Sequence, residues 1–191
     1  MFGKKEYVFS QVTTRGGDKG YSTDFSGNSF LKDSLIFETV GEIDSLSSWL
    51  GIIKHNLKCK SKIEHYQLLL QHIMSLVATS PNFNIQWEPT NEIYLKMYQV
   101  SQDDTLEIEK HEQSILDKGL KIEPKFVLPG ATVSSSYIDV ARATCRKAER
   151  VFVRFMREEN RPDLRNCSIF LNRLSDLLFI IKLAVEQKLE I

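Results

Sequence analysis

Residues 138–155 read Ile-Asp-Val-Ala-Arg-Ala-Thr-Cys-Arg-Lys-Ala-Glu-Arg-Val-Phe-Val-Arg-Phe, and two periodicities run through them at once. Ile138, Ala141, Cys145, Ala148, Phe152 and Phe155 recur at spacings of three and four, which is the pattern of a buried helical seam. Arg142, Arg146, Glu149 and Arg150 fall at i, i+4, i+7 and i+8, one contiguous stripe on another face. Such a helix is fixed in a core by one side while it presents guanidinium groups on the other. Guanidinium forks match phosphate oxygens bidentately and stay charged at any working pH, so a triphosphate or similar polyanion is the natural ligand. A solvated charged face is the other reading of the same stripe, because many charge-rich helix faces are only surface.

The same spacing predicts helices on either side. Phe37, Val40, Ile43, Leu46, Leu50, Ile53 and Leu57 mark a first amphipathic helix over 34–57. Ile63, Tyr66, Leu69, Leu70, Ile73, Leu76 and Val77 mark a second over 62–79, stopped by Pro81. Leu106, Ile108, Ile115 and Leu116 support a third over 104–118, closed by Gly119. The arginine helix is the fourth, about 135–157, with a hydroxyl from Ser134, Ser135 or Ser136 as its cap. Pro162 then opens a fifth, carried to the chain end by Leu171, Leu174, Leu177, Leu178, Ile181 and Val185. Residues 81–103, with Pro81, Pro89, Phe83, Trp87, Tyr94 and Tyr98, read as a structured loop or a short helix. The first 34 residues are loop-like, rich in Gly, Ser, Thr and Asp, and no strand is convincing. The expectation is all-α: one domain over residues 1–191, an up-and-down five-helix bundle with an N-terminal loop segment, and no internal repeat.

Composition narrows the function classes. The chain has 191 residues, enough for one sizeable core, and its 25 Lys and Arg balance 25 Asp and Glu. A formal net charge of zero gives no global field for nucleic acid or an anionic membrane, so neither is expected as a partner and any polyanion site must be local. Cys59, Cys145 and Cys167 are odd in number and have no paired metal-ligand spacing. That suits a reducing compartment: the cytoplasm, or an organelle matrix if a targeting peptide has been removed. No apolar h-region opens the sequence and no run of about 18 apolar residues occurs, so a soluble protein is expected.

Two further constellations could carry chemistry. Gly16-Gly17-Asp18-Lys19-Gly20 has the ingredients of a phosphate cradle, although it lacks the spacing of a P-loop and also reads as a plain turn. Asn172 and Asp176 stand at i, i+4 in an apolar helix, where they need partners, either arginines of a neighbouring helix or the hydroxyls of a ligand. Asp44, between Ile43 and Leu46, reads the same way and looks to the arginine stripe for a cation. The four histidines carry no metal-site spacing, and no Ser-His-Asp or Cys-His arrangement suggests covalent catalysis.

Taken together, the motifs resemble the PduO-type ATP:cob(I)alamin adenosyltransferases. Thr14-Arg15-Gly16-Gly17-Asp18-Lys19-Gly20 is similar to that family's Thr-Arg/Lys-Thr-Gly-Asp-Lys-Gly loop, and Gly41 to Leu46 to its Gly-x-x-Asp-Glu-Leu segment. Phe126 to Gly130 resembles Phe-Ile-Leu-Pro-Gly, Arg142 to Arg150 resembles Arg-x-x-Cys-Arg-Arg-Ala-Glu-Arg, and Leu171 to Asp176 repeats Leu-Asn-Arg-Leu-Ser-Asp. The resemblance covers most of the chain, with residues 81–103 its weak stretch. Departures are Gly16 for Thr or Asn, Ser45 for Glu, Ala131 for Gly, and Ile138-Asp139 for Leu-His.

The resemblance implies a five-helix bundle assembled as a homotrimer, with a site at each subunit boundary. It implies transfer of the 5′-deoxyadenosyl group of ATP to cob(I)alamin or a related corrinoid, with release of triphosphate. ATP is then expected on Thr14, Arg15, Gly17, Asp18, Lys19, Gly20 and Lys32 from the N-terminal segment, and on Arg146, Glu149, Arg150, Asn172 and Asp176 from the helices. Lys19 and Arg146 neutralise phosphate, and Glu149 is the candidate Mg²⁺ contact. Arg146, Arg142, Asp44 and Phe126 are the expected catalytic set. Of these, Asp44 pairs with Arg142, and both meet the corrinoid with Phe126, which covers its lower face. A corrinoid reductase and an adenosylcobalamin-dependent acceptor enzyme are the implied partners. A non-catalytic corrinoid or ATP carrier, or a trimeric scaffold of the same fold, is the alternative.

Overall fold

The computed structural model describes residues 13, 15–57, 59–122 and 128–191, so Thr14 and Phe126 lie outside the described residues. A short hairpin, β1 (Tyr21–Thr23) and β2 (Ser29–Leu31), is followed by α1 (Leu35–Ile53), α2 (Lys60–Val77) and the single-turn α3 (Glu92–Leu95). Then come α4 (Gln102–Leu116), α5 (Val133–Glu158) and α6 (Arg165–Glu186), with 3-10 turns at Lys54–Asn56 and Pro162–Leu164. The five long helices occupy the predicted segments, and the protein is an all-α bundle.

Burial follows the predicted stripes. All six residues of the α5 seam are buried, as are Ile63, Tyr66, Leu69, Leu70, Ile73, Leu76 and Val77 of α2. The core passes around α6, which packs against both α5 and α4, while α1 packs against α2 and α5. Because neighbours surround it, α6 buries polar Ser175 and Lys182 along with Leu171, Leu174, Leu177 and Leu178.

Three local expectations change. The N-terminal segment contains the antiparallel pair β1–β2, in register Tyr21 with Leu31, instead of loop alone. Three residues a side are too few to show a period of two, and Tyr21 and Leu31 remain exposed. The turn is set by Asp24, whose carboxylate accepts from Asn28 N–H at 2.7 Å and from Asn28 Nδ2 at 2.9 Å. The cap of α5 is Thr132, not one of the three serines; Thr132 and Ser135 form a reciprocal capping box. Residues 81–103 are both loop and helix: Asn91 caps α3, which delivers Tyr94 into the core. The Tyr94 hydroxyl donates to Asp163, and Asp163 also holds Arg161. Arg161 in turn donates to the carbonyls of Leu76, at 3.0 Å, and Thr79, at 3.3 Å, tying the end of α2 to the α5–α6 corner.

α4 is anchored to α2 by a hydrogen bond of 3.0 Å between the Tyr66 hydroxyl and His111 Nδ1, both buried. Burial, with Lys62 and Lys118 adding to it, lowers the His111 pKa to about 4. The unfolded chain protonates near 6.5 and the native state does not until about pH 4, so between those values the unfolded state binds more protons. Stability should therefore fall as pH drops from 6.5 to 4, by on the order of 2–3 kcal/mol. Urea titrations of the wild type and of His111→Gln should show this acid-linked loss in the first and a much flatter profile in the second.

Candidate functional site

Three helices enclose a cleft of about 390 Å³. α4 contributes Glu112 and Leu116, α5 contributes Arg142 and Arg146, and α6 contributes Ser175, Asp176, Phe179 and Ile180. The charges of α5 are sorted by face. Toward α1, Lys147 meets Glu42 at 2.6 Å and Arg154 meets Glu38. Toward the cleft, Arg146 makes no ion pair or hydrogen bond with any described residue, and neither does Arg150 farther along the helix. Guanidiniums left without carboxylates beside a cleft, on a helix whose other cations are neutralised, separate this stripe from an ordinary solvated face.

Arg142 is held from its own helix. Its Nε donates to Asp139 Oδ1 at 3.1 Å, and the other Asp139 oxygen stands 3.2 Å from Lys182 Nζ. Lys182, 2% exposed, is also 3.7 Å from Glu186. This buried Asp139–Lys182 pair was not singled out in the sequence. The available signal was two charged residues each beside a core position, Asp139 after Ile138 and Lys182 after Ile181.

Beyond Arg146, Asn172 Nδ2 donates to Glu149 Oε1 at 2.9 Å and Asn172 Oδ1 accepts from Arg173 at 2.8 Å. The partners of Asn172 are thus a carboxylate on α5 and its neighbour on α6. Asp176 is exposed at the cleft edge, 3.9 Å from Arg173. Glu112 is the unforeseen member, although it lies on the buried stripe of α4 between Ile108 and Ile115. Burial pushes its pKa up to about 7; Asp176 and Glu109 raise it further while Arg173 opposes them.

The glycine loop stands elsewhere. Asp18 N–H bonds the Arg15 carbonyl and Gly20 N–H bonds the Gly17 carbonyl, each at 3.2 Å, and Lys32 N–H closes on Gly20 at 2.8 Å. The Lys32 ammonium lies against Gly17, in the space a Cβ would take, as the movable end of an exposed side chain. Arg15, Lys19 and Lys32 are exposed around this turn. The loop lies at the head of α1, a helix packed on α2 and α5, whereas the walls of the arginine cleft are α4, α5 and α6. Glu38, in the first turn of α1, meets Arg154, so the head of α1 lies beside the C-terminal half of α5, whereas the cleft residues Arg142 and Arg146 stand two to three turns nearer its N-terminus. Asp44 is exposed on α1, and the partner that Arg142 has within the chain is Asp139.

Among the described residues no group of three or more His, Cys, Asp or Glu is placed to hold a metal ion. Glu149 offers one carboxylate beside the unpaired arginines, already sharing one oxygen with Asn172. Such a site suits Mg²⁺ only as a metal carried mainly by ligand oxygens, which is how Mg²⁺ commonly sits with phosphates.

The sequence matches the family model described as cobalamin adenosyltransferase over residues 12–185. It is 34% identical to the corrinoid adenosyltransferase MMAB of Mus musculus over 179 residues, covering 90% of this chain and 70% of the mouse protein. It is 30% identical to the cobalamin adenosyltransferase of Cupriavidus metallidurans, covering 90% and 86% of the two chains. Among solved structures, the fold is similar to a variant PduO-type ATP:corrinoid adenosyltransferase from Lactobacillus reuteri complexed with cobalamin and ATP. The TM-score is 0.77 and the identity 27%, over 92% of this chain and 93% of that one. A second variant of the Lactobacillus reuteri enzyme, complexed with ATP, gives a TM-score of 0.74 at 28% identity over 92% and 94%.

The Asp139–Lys182 pair supports Arg142 from beneath, so removing one partner strands a buried charge. Asp139→Asn should cost about 3–5 kcal/mol in chemical denaturation, and combining it with Lys182→Met should recover most of that loss. Additive losses in the double variant would mean the pair is not coupled.

Proposed function

This chain belongs to the cobalamin adenosyltransferase family, and from that premise we propose that it transfers the 5′-deoxyadenosyl group of ATP to the Co(I) centre of a corrinoid, forming adenosylcobalamin and releasing triphosphate. The observation that carries the reading to these residues is Arg146 beside a cleft, with no ion-pair or hydrogen-bond partner among the described residues. In the reaction, Co(I) donates an electron pair to C5′, the Co–C bond forms as the C5′–O bond breaks, and triphosphate leaves with that bonding pair. Cobalt goes from Co(I) to Co(III). So strong a nucleophile needs no general base from the protein. The protein's work is to aim C5′ at cobalt and to stabilise the charge that develops on the leaving triphosphate.

In this assignment Arg146 and Lys19 meet phosphate, with Arg15, Lys32 and the backbone of Gly17, Asp18 and Gly20 around them. Thr14 extends that loop. Glu149, Arg150, Asn172 and Asp176 orient the nucleotide, and Glu149 is the one carboxylate through which Mg²⁺ would touch the protein while offsetting triphosphate charge. Phe126 covers the lower face of the corrin and excludes water and an axial base. The separation of the glycine loop from the arginine cleft supports a homotrimer in which the loop of one copy completes the cleft of the next. Asp44, exposed in one chain, then reaches Arg142 across the same boundary. A reductase supplying Co(I) and an enzyme taking up adenosylcobalamin are the implied partners. No described helix is long and apolar enough to cross a membrane, and three free thiols suit the reducing cytoplasm or an organelle matrix.

The activity is tested anaerobically with ATP and chemically reduced cobalamin, following the visible spectrum of the product. Adenosylcobalamin formation separates an enzyme from a carrier that binds both ligands without turnover. Arg146→Ala should keep its helical circular-dichroism signal and lose at least ~2 kcal/mol of transition-state stabilisation in kcat/KM. Phe126→Ala should leave ATP affinity nearly unchanged and slow adenosylation most when a mild reductase must supply Co(I). With Co(I) formed beforehand by a strong reductant, part of the rate should return; equal damage in both regimes would make Phe126 a packing residue.

A further inference from the structure

α4 enters neither the sequence motifs nor the assignment above, yet it forms one wall of the arginine cleft. Its contribution there is Glu112, which faces Arg142 and Arg146 of α5 and Ser175 and Asp176 of α6 across the cleft. Glu112 Oε1 is closed off from solvent and has no hydrogen-bond partner. A buried carboxylate oxygen without a donor is costly, and the cost disappears if the group carries a proton and finds an acceptor. Neither arginine of the cleft is bonded to it: Arg142 is engaged by Asp139, and Arg146 has no ion pair or hydrogen bond with any described residue.

We infer that Glu112 is a substrate-positioning residue that works as the carboxylic acid, donating a hydrogen bond to a phosphate oxygen of the nucleotide when it enters the cleft beside Arg142 and Arg146. This rests on the proposed binding of ATP at the arginine cleft. The charged groups around Glu112 place the proton correctly. Burial contributes most, Asp176 on α6 and Glu109 on its own helix repel a second negative charge, and Arg173 on α6 only partly offsets them. Together they keep the group near half protonation at pH 7. α2 packs on another part of α4, where Tyr66 and His65 meet His111 and Glu107. An incoming triphosphate brings more negative charge and an acceptor oxygen, both of which favour the protonated form. Binding should therefore draw a proton from the buffer onto Glu112. Above pH 7 affinity should fall toward a limit of roughly tenfold per pH unit.

The test measures ATP binding by calorimetry in buffers of different ionisation enthalpy, from pH 6.5 to 8.5, without corrinoid, for the wild type and for E112Q. Glutamine keeps a neutral donor and cannot titrate, so protonation of ATP itself cancels in the comparison. The wild type should take up up to one proton more than E112Q as the pH rises past 7, and only its affinity should carry this added fall toward pH 8.5. Equal proton uptake in the two proteins would overturn the inference, as would a difference that appears only when corrinoid is added, which would assign the donor to a corrinoid group. E112A should bind ATP more weakly than E112Q at pH 6.5, and equal binding by the two would remove the hydrogen bond from the account. Adenosylcobalamin formation is assayed on the same samples. Turnover without any Glu112 dependence defeats this inference alone, whereas absence of both ATP binding and turnover defeats the function on which it rests.

Discussion

The seam of α5 is the constraint on which the rest depends. Its small residues, Ala141, Cys145 and Ala148, and its large ones, Phe152 and Phe155, are buried together, so the helix has a fixed rotation about its axis. Cys145 marks how close the approach is: its Sγ stands 3.2 Å from the carbonyl of Leu171 on α6. Once that face is set, Lys147 and Arg154 are directed to the glutamates of α1 while Arg142 and Arg146 are directed to the cleft walled by α4 and α6. The two fates of chemically similar side chains on one helix thus follow from packing alone.

Beneath the cleft, Asp139 and Lys182 form a polar element inside an apolar bundle. Buried pairs of this kind add little net stability compared with apolar packing, and their retention is better explained by what they hold in place. Here Asp139 holds Arg142, with Lys182 compensating the carboxylate from the opposite side and Glu186 compensating Lys182. The chain thereby presents one guanidinium in a fixed orientation and another, Arg146, without a partner among the described residues.

The long helices were readable because each carries one apolar stripe over many turns, and Ile63 to Val77 lie buried as their spacing requires. The hairpin at Tyr21–Leu31 was not readable, since three-residue strands with exposed side chains carry no usable period. In the site, the motif residues Arg142, Arg146 and Asp176 do line one cleft, and Asn172 and Glu149 are bonded beside it. Glu112 and the Asp139–Lys182 pair were missed because a lone charged residue at a core register has no sequence mark of its partner, which comes from another helix. That Arg142 has Asp139 as its partner within the chain was hidden for a related reason: periodicity gives the face of a helix and not its neighbour.

The geometry leaves the glycine loop at the head of α1 and the arginines among α4, α5 and α6, so the central claim is that a working site takes its parts from two copies of the chain. Mixing subunits tests this most directly. Lys19→Ala and Arg146→Ala chains, each nearly inactive alone, are unfolded together and refolded in equal amounts. In a closed ring with a head-to-tail boundary, about one quarter of the boundaries then pair an intact loop with an intact arginine, and about that fraction of wild-type turnover should return. Activity no greater than the average of the two parent variants would place loop and arginine in the same chain and contradict the account.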